Sequence, residues 1–178
     1  MNRTTRSPRL LLLGPICLAT LIGAPLLGQD GSTYHEDLLA DLQQLEEKMV
    51  GLAEAIPAEQ YSWAPAEGVR TVSQALMHTA NANYFFPTLI GAAAAGKGNL
   101  ESITDKDQAI AELKGSFAHL RQALEDVGDA SMAESIDLFG RKTTVAGTLH
   151  AALSHVHEHL GQTIAYARSI GVTPPWSQ

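Results

Sequence analysis

Apolar residues recur at intervals of three and four through most of this chain, the spacing that lines one face of an α-helix. Leu38, Leu39, Leu42, Leu45, Met49 and Leu52 trace the first stripe, over about Tyr34 to Ile56. Ser32 or Thr33 can cap that helix, and Pro57 ends it. A non-helical connection, IPAEQYSWAPAEGVR, follows. Thr71 with Gln74 then forms a capping box that opens a second helix through Val72, Ala75, Leu76, Thr79 and Asn83, ending near Pro87. The small-residue run LIGAAAAGKG is a place where this helix could restart. Asp105 with Gln108 repeats the capping pattern before Ile110, Leu113, Phe117, Leu120 and Leu124, and Gly128 supplies the stop. The stretch ESIDLFGRKTT has weak helical periodicity and suits a short extended excursion. A last helix begins at Thr143 or Thr144 and runs to Ser169, with Gly171 beyond its end and Pro174-Pro175 forbidding continuation. Four main helices without a convincing alternating strand pattern predict an all-α four-helix bundle over residues 33–177.

Composition adds boundaries to this picture. A chain of 178 residues supports one domain with a proper core. A charged fraction of 17% is too low for a coiled coil or a charge-rich disordered chain. The net charge is −7, and no basic cluster stands outside the N-terminus, which disfavours nucleic acid as a partner. At that N-terminus, Arg3, Arg6 and Arg9 precede an apolar run from Leu10 to about Gly28, the pattern of a secretory signal peptide over residues 1–28. The alternative is an uncleaved anchor helix. Cleavage would leave nine basic residues against 19 acidic ones, a charge of about −10, and would remove Cys17, the only cysteine. The expected mature protein is therefore exported, free of disulfides and without stable membrane association.

Chemistry concentrates in the histidines. Of the seven, His150, His155, His157 and His159 lie in one helical stretch, and His78 lies on the second helix. A spacing of four stacks His155 and His159 on one face, their Cβ atoms about 5–6 Å apart, as needed to grip one divalent ion. With His155 at zero on the helical wheel, His159 falls near 40° and Gln162 near 340°, beside the core stripe of Leu149, Leu153, Val156 and Leu160. His157, near 200°, points elsewhere, and His150 is two turns from His157, about 10.5 Å away. Glu158, near 300°, is either a solvated carboxylate or a ligand or base beside an ion. The residue after His155 is Val156, so the zinc-protease pattern of His-Glu followed by a second His is missing. A third ligand would strengthen the pair, because catalytic zinc sites use three protein ligands and keep one position open. His78 is the natural candidate, flanked by Ala75, Ala82 and Phe85; the alternative is a core histidine bonded to a backbone carbonyl. His35 and His119 are expected at the surface.

The segments Tyr61-Ser-Trp-Ala-Pro65, Gly68-Val-Arg-Thr-Val72, Leu76-Met-His78-Thr-Ala-Asn-Ala-Asn83 and His155-Val-His-Glu-His159-Leu-Gly-Gln162 resemble the DinB/YfiT-like metal-binding superfamily. The resemblance runs from about Tyr34 to Ser177. It implies a four-helix bundle holding one divalent ion, zinc or nickel, through three histidines, one on the second helix and two on the last. Matched motif by motif, these are His78, His155 and His159. The superfamily includes thiol-dependent S-transferases and isomerases alongside members with no assigned activity. Gln162 and Asn81 are candidates to orient a ligand or substrate, or are plain surface amides. Trp63 and Trp176 suit the core and the terminus better than a substrate platform.

Three functions follow from these readings. The first is an exported metal-dependent enzyme, a hydrolase or a thiol S-transferase acting on a small molecule. The second is a non-catalytic metal-binding or stress-response module. The third is a helical scaffold for homodimerisation or partner binding, which intact ligands disfavour. Catalysis itself stays open, since Glu158 and His157 are not compelling acid–base groups.

Overall fold

The computed structural model describes residues 33–177, and the expected signal segment lies outside them. Among the described residues there are four long helices: α1 (Tyr34–Ala55), α2 (Val72–Phe85), α3 (Lys106–Asp126) and α4 (Val145–Ser169). Each begins at a polar cap. Thr33 and Thr71 form full capping boxes with Glu36 and Gln74, and Asp105 and Thr144 accept hydrogen bonds from the backbone N–H groups of Gln108 and Gly147. These bonds satisfy donors that the first turn leaves without an intrahelical partner. None of the helices among the described residues is long and apolar enough to cross a membrane.

The stripes seen in the sequence meet in one core. Leu42, Leu45, Met49 and Leu52 of α1, Leu76 and Met77 of α2, Leu113, Phe117 and Leu120 of α3, and Val156 of α4 are all fully or almost fully buried. Helix α1 packs on α3 and α4, and α2 packs on the same two helices. Consecutive helices α1 and α2 thus stand across the bundle diagonal, joined by residues 56–71. Tyr61 anchors that crossing: its buried hydroxyl donates to the Ala53 carbonyl at 2.7 Å, and burial pushes its phenol well above the ordinary range. The arrangement makes α2 and α4 neighbours, the pairing on which the site depends.

Two segments depart from a plain bundle. The alanine run after Pro87 does not restart a helix. A single 3₁₀ turn, Phe86–Ile90, ends at Gly91 in the left-handed region, and residues 92–99 form no helix. Four alanines, three of them exposed, offer little area to bury and are too few to repay helix nucleation. The extended excursion is a hairpin, β1 (Ser135–Leu138) with β2 (Arg141–Thr144), antiparallel with Leu138 opposite Arg141. Its two-residue turn, Phe139-Gly140, takes positive φ at both positions, 53° and 80°. A right-twisted hairpin favours that geometry, but it suits Asn-Gly far better than Phe-Gly. The left-handed conformation costs Phe139 about 1 kcal/mol.

Candidate metal centre

His78 reaches across from α2 to His155 and His159 on α4. The Nε2 atoms of His78 and His155 are 3.3 Å apart, and those of His155 and His159 are 3.2 Å apart. One nitrogen from each of the three rings falls within 4.8 Å of the others. The placement follows from the helix geometry argued above. The four-residue step puts His155 and His159 on the edge of the buried face, where His159 is buried and His155 partly so. His78 occupies the α2 face turned to α4, between buried Met77 and Thr79.

Hydrogen bonds behind the rings decide which nitrogen faces inward. The Gln162 amide nitrogen donates to the Tyr166 hydroxyl at 2.8 Å, which leaves its oxygen to accept from His159 Nδ1–H at 2.7 Å. His78 Nδ1 lies 3.1 Å from Glu101 Oε1 and donates to that carboxylate. Both rings therefore carry their proton on Nδ1 and point an Nε2 lone pair at the common centre. His155 Nε2 between them either donates its proton, at 3.3 and 3.2 Å, or presents a third lone pair to a cation held by all three rings. The donor set of three imidazole nitrogens, two of them fixed from behind, fits a divalent cation. His155 Nδ1 is enclosed without a hydrogen-bond partner, so its ring is the least tethered of the three.

Protonation is suppressed at the same place. Burial, reinforced by the neighbouring His159 and His78, lowers the His155 pKa to about 4. Burial also lowers that of His78, against the opposing pull of Glu101. Without a metal, these shifts have a consequence for folding. Between pH 6.5 and about 4 the unfolded chain takes up a proton at position 155 that the folded chain refuses. Stability of the chelator-treated protein should therefore fall as pH drops through that window and stay flat on this account above it. Melting curves across the range, with His155→Ala as control, should show a shallower decline in the variant; equal slopes would contradict it.

Glu101 is the site residue that sequence reasoning missed. It sits in a 3₁₀ turn, Leu100–Ser102, that docks on α2. Leu100 is buried, Asn99 caps the Glu101 N–H at 3.2 Å, and the Ser73 hydroxyl of α2 donates to the Ile103 carbonyl at 2.6 Å. The turn holds the carboxylate between His78 and Arg70, whose Nε donates to Glu101 Oε2 at 3.4 Å.

Two pockets border this arrangement. One, of about 630 Å³, is polar and includes Arg70, Gln74, Glu101 and Gln162. The other, of about 320 Å³, is almost wholly apolar; His78 and His155 line it together with Asn81, Phe85, Phe86 and Phe139. Asn81 is thus placed at the site, and Gln162 holds a ring from behind. Glu158 is exposed and has no part in the cluster. His157 is turned to α1, where its Nε2 meets Asp41 at 2.9 Å, and His150 is exposed. Trp63 packs edge-on against Tyr166 at 5.5 Å, whereas Trp176 is 42% exposed. His35 and His119 are not the surface residues expected. His35 Nε2 reaches the Leu124 carbonyl at 2.7 Å, closing the end of α3, and His119 is half-buried beside Tyr84.

Fold and site together define a four-helix bundle with a three-histidine cluster between its second and last helices. Residues 41–163, which include all three histidines, match the DinB superfamily, and the chain belongs to that family. In sequence it is 29% identical over 127 residues to the uncharacterized protein YjoA of Bacillus subtilis, covering 68% of this chain and 81% of that one. A DinB-like protein of Bacillus cereus superposes with a TM-score of 0.73 at 20% identity, over 80% of this chain and 98% of the other. YfiT of Bacillus subtilis, described as a probable metal-dependent hydrolase with an unusual four-helix bundle topology, gives 0.62 at 15% identity, over 82% and 94%.

Proposed function

We propose that this protein binds one divalent metal ion through His78, His155 and His159 and is a metal-dependent hydrolase of a small molecule. The convergence of three Nε2 atoms, two with their tautomer fixed by Glu101 and Gln162, carries this reading. Imidazole donors suit zinc and nickel. Bound there, such an ion would supply Lewis acidity and lower the pKa of a small nucleophile. The chain's own groups do the rest. Glu101 and Gln162 keep the rings oriented, and Phe85, Phe86 and Phe139 set an apolar wall beside them, with Asn81 at its border. The description of YfiT as a probable metal-dependent hydrolase agrees with this assignment.

One observation favours a second reading, transfer of a low-molecular-weight thiol to an electrophile. The apolar pocket has no carboxylate among its lining residues, so nothing there would protonate a poor leaving group. Against it stands the export inferred from the basic and apolar N-terminal segment, since such thiols are scarce outside the cytosol.

Elemental analysis followed by two assays separates the alternatives. Hydrolysis of activated esters, lost on chelation and restored by zinc or nickel, is the expected result. Turnover of an electrophile only when a thiol is added would select the transferase. Full metal content with neither activity would leave a non-catalytic binding module.

A further inference from the structure

The pocket beside the histidines is built from aromatic rings supplied by two separate elements. Phe85 and Phe86 come from the end of α2, their ring centroids 6.0 Å apart at 64°. Phe139 comes from the hairpin tip and lies nearly parallel to Phe85, at 6.1 Å and 10°. Phe86 also stands 6.0 Å from the His155 ring, so the wall is continuous with the cluster.

Within the fold Phe139 does little beyond stacking on Phe85. It is 74% exposed and contributes almost nothing to the core. Its φ of 53° is one that asparagine or glycine would adopt with less strain. A large apolar side chain kept in a strained, exposed turn and aimed at a pocket is the pattern of a ligand contact. The lining is almost all carbon, which disfavours a charged group inside it. Its volume of about 320 Å³ is at the small end for ligand pockets, about 300–1,000 Å³, and suits one ring better than a long chain.

We propose that the substrate carries a planar apolar group, an aromatic ring being the simplest, next to the atom that reacts, and that Phe139 selects it. The group seats against Phe85, Phe86 and Phe139, in reach of His78 and His155 because those histidines line the same pocket. Aromatic faces and edges favour a flat partner over a puckered one of equal size. This assignment rests on the metal-centre reading above.

Three hydroxamates test it, because they share one chelating head and differ only in the arm. Aceto-, cyclohexanecarbo- and benzohydroxamate are titrated calorimetrically into the zinc-loaded full chain. Benzohydroxamate should bind at least about 10-fold tighter than acetohydroxamate, and tighter than the cyclohexane compound. Phe139→Asn should cut the benzo-to-aceto ratio to about two, with a melting temperature no lower than the parent's, since asparagine suits the turn. Equal affinity for the benzene and cyclohexane arms, or a preference that survives Phe139→Asn, overturns the assignment while leaving the metal centre standing. Failure to hold zinc overturns the metal-centre reading and this assignment with it; zinc held with no hydroxamate bound overturns this assignment alone.

Discussion

His155→Ala should abolish stoichiometric metal retention after dialysis. His155 is the middle donor of the cluster, 3.3 Å from the His78 nitrogen and 3.2 Å from that of His159. Without it, two donors remain on separate helices with nothing between them. Structural zinc sites bind with about 10–16 kcal/mol over four ligands, roughly 3 kcal/mol each, so one lost imidazole costs more than a hundredfold in affinity. Alanine is a good helix former, and the position is only partly buried, so α4 should persist with an unchanged far-ultraviolet spectrum. Metal analysis of parent and variant decides the matter: about one ion per chain against nearly none is expected. Equal content in the two would remove His155 from the site.

Glu101→Ala should weaken metal affinity by about 10–100-fold, although Glu101 does not face the centre. Its carboxylate accepts from His78 Nδ1–H and so keeps Nε2 unprotonated and aimed inward. Alanine frees the ring to rotate and to change tautomer. Glu101→Gln should fall between parent and alanine, because an amide oxygen can still accept that hydrogen bond while the negative charge beside Arg70 is lost. Competition against a chelator of known affinity gives the ranking directly. An alanine variant within twofold of the parent would show that the bundle alone orients His78.

The helices and half of the site were legible from the sequence because both are local. Capping pairs such as Thr71 with Gln74, and apolar steps of three and four, are written within a few residues of where they act. The same holds for His155, His159 and Gln162, which two successive helical turns bring onto one face. His78 needed more, either the logic of a third ligand or the family resemblance, since it lies 77 residues from His155. Glu101 could not be found this way. It is one of 19 acidic residues, in a segment without periodicity, and its role is created by tertiary docking of a short turn on α2. His35 was misjudged for a related reason: its carbonyl partner, Leu124, is 89 residues away.

The diagonal placement of α1 and α2 has a mechanical consequence. A clasp between His78 and His155 would bracket 77 residues, including all of α3 and the hairpin. Such a clasp is a removable staple across most of the bundle. A permanent bridge over a loop of that length would stabilise the fold by on the order of 4 kcal/mol through the entropy of the unfolded chain. Loading and stripping the ion would then raise and lower the cost of unfolding α3 as well as the site, so resistance to protease would track metal supply even in segments that never touch it.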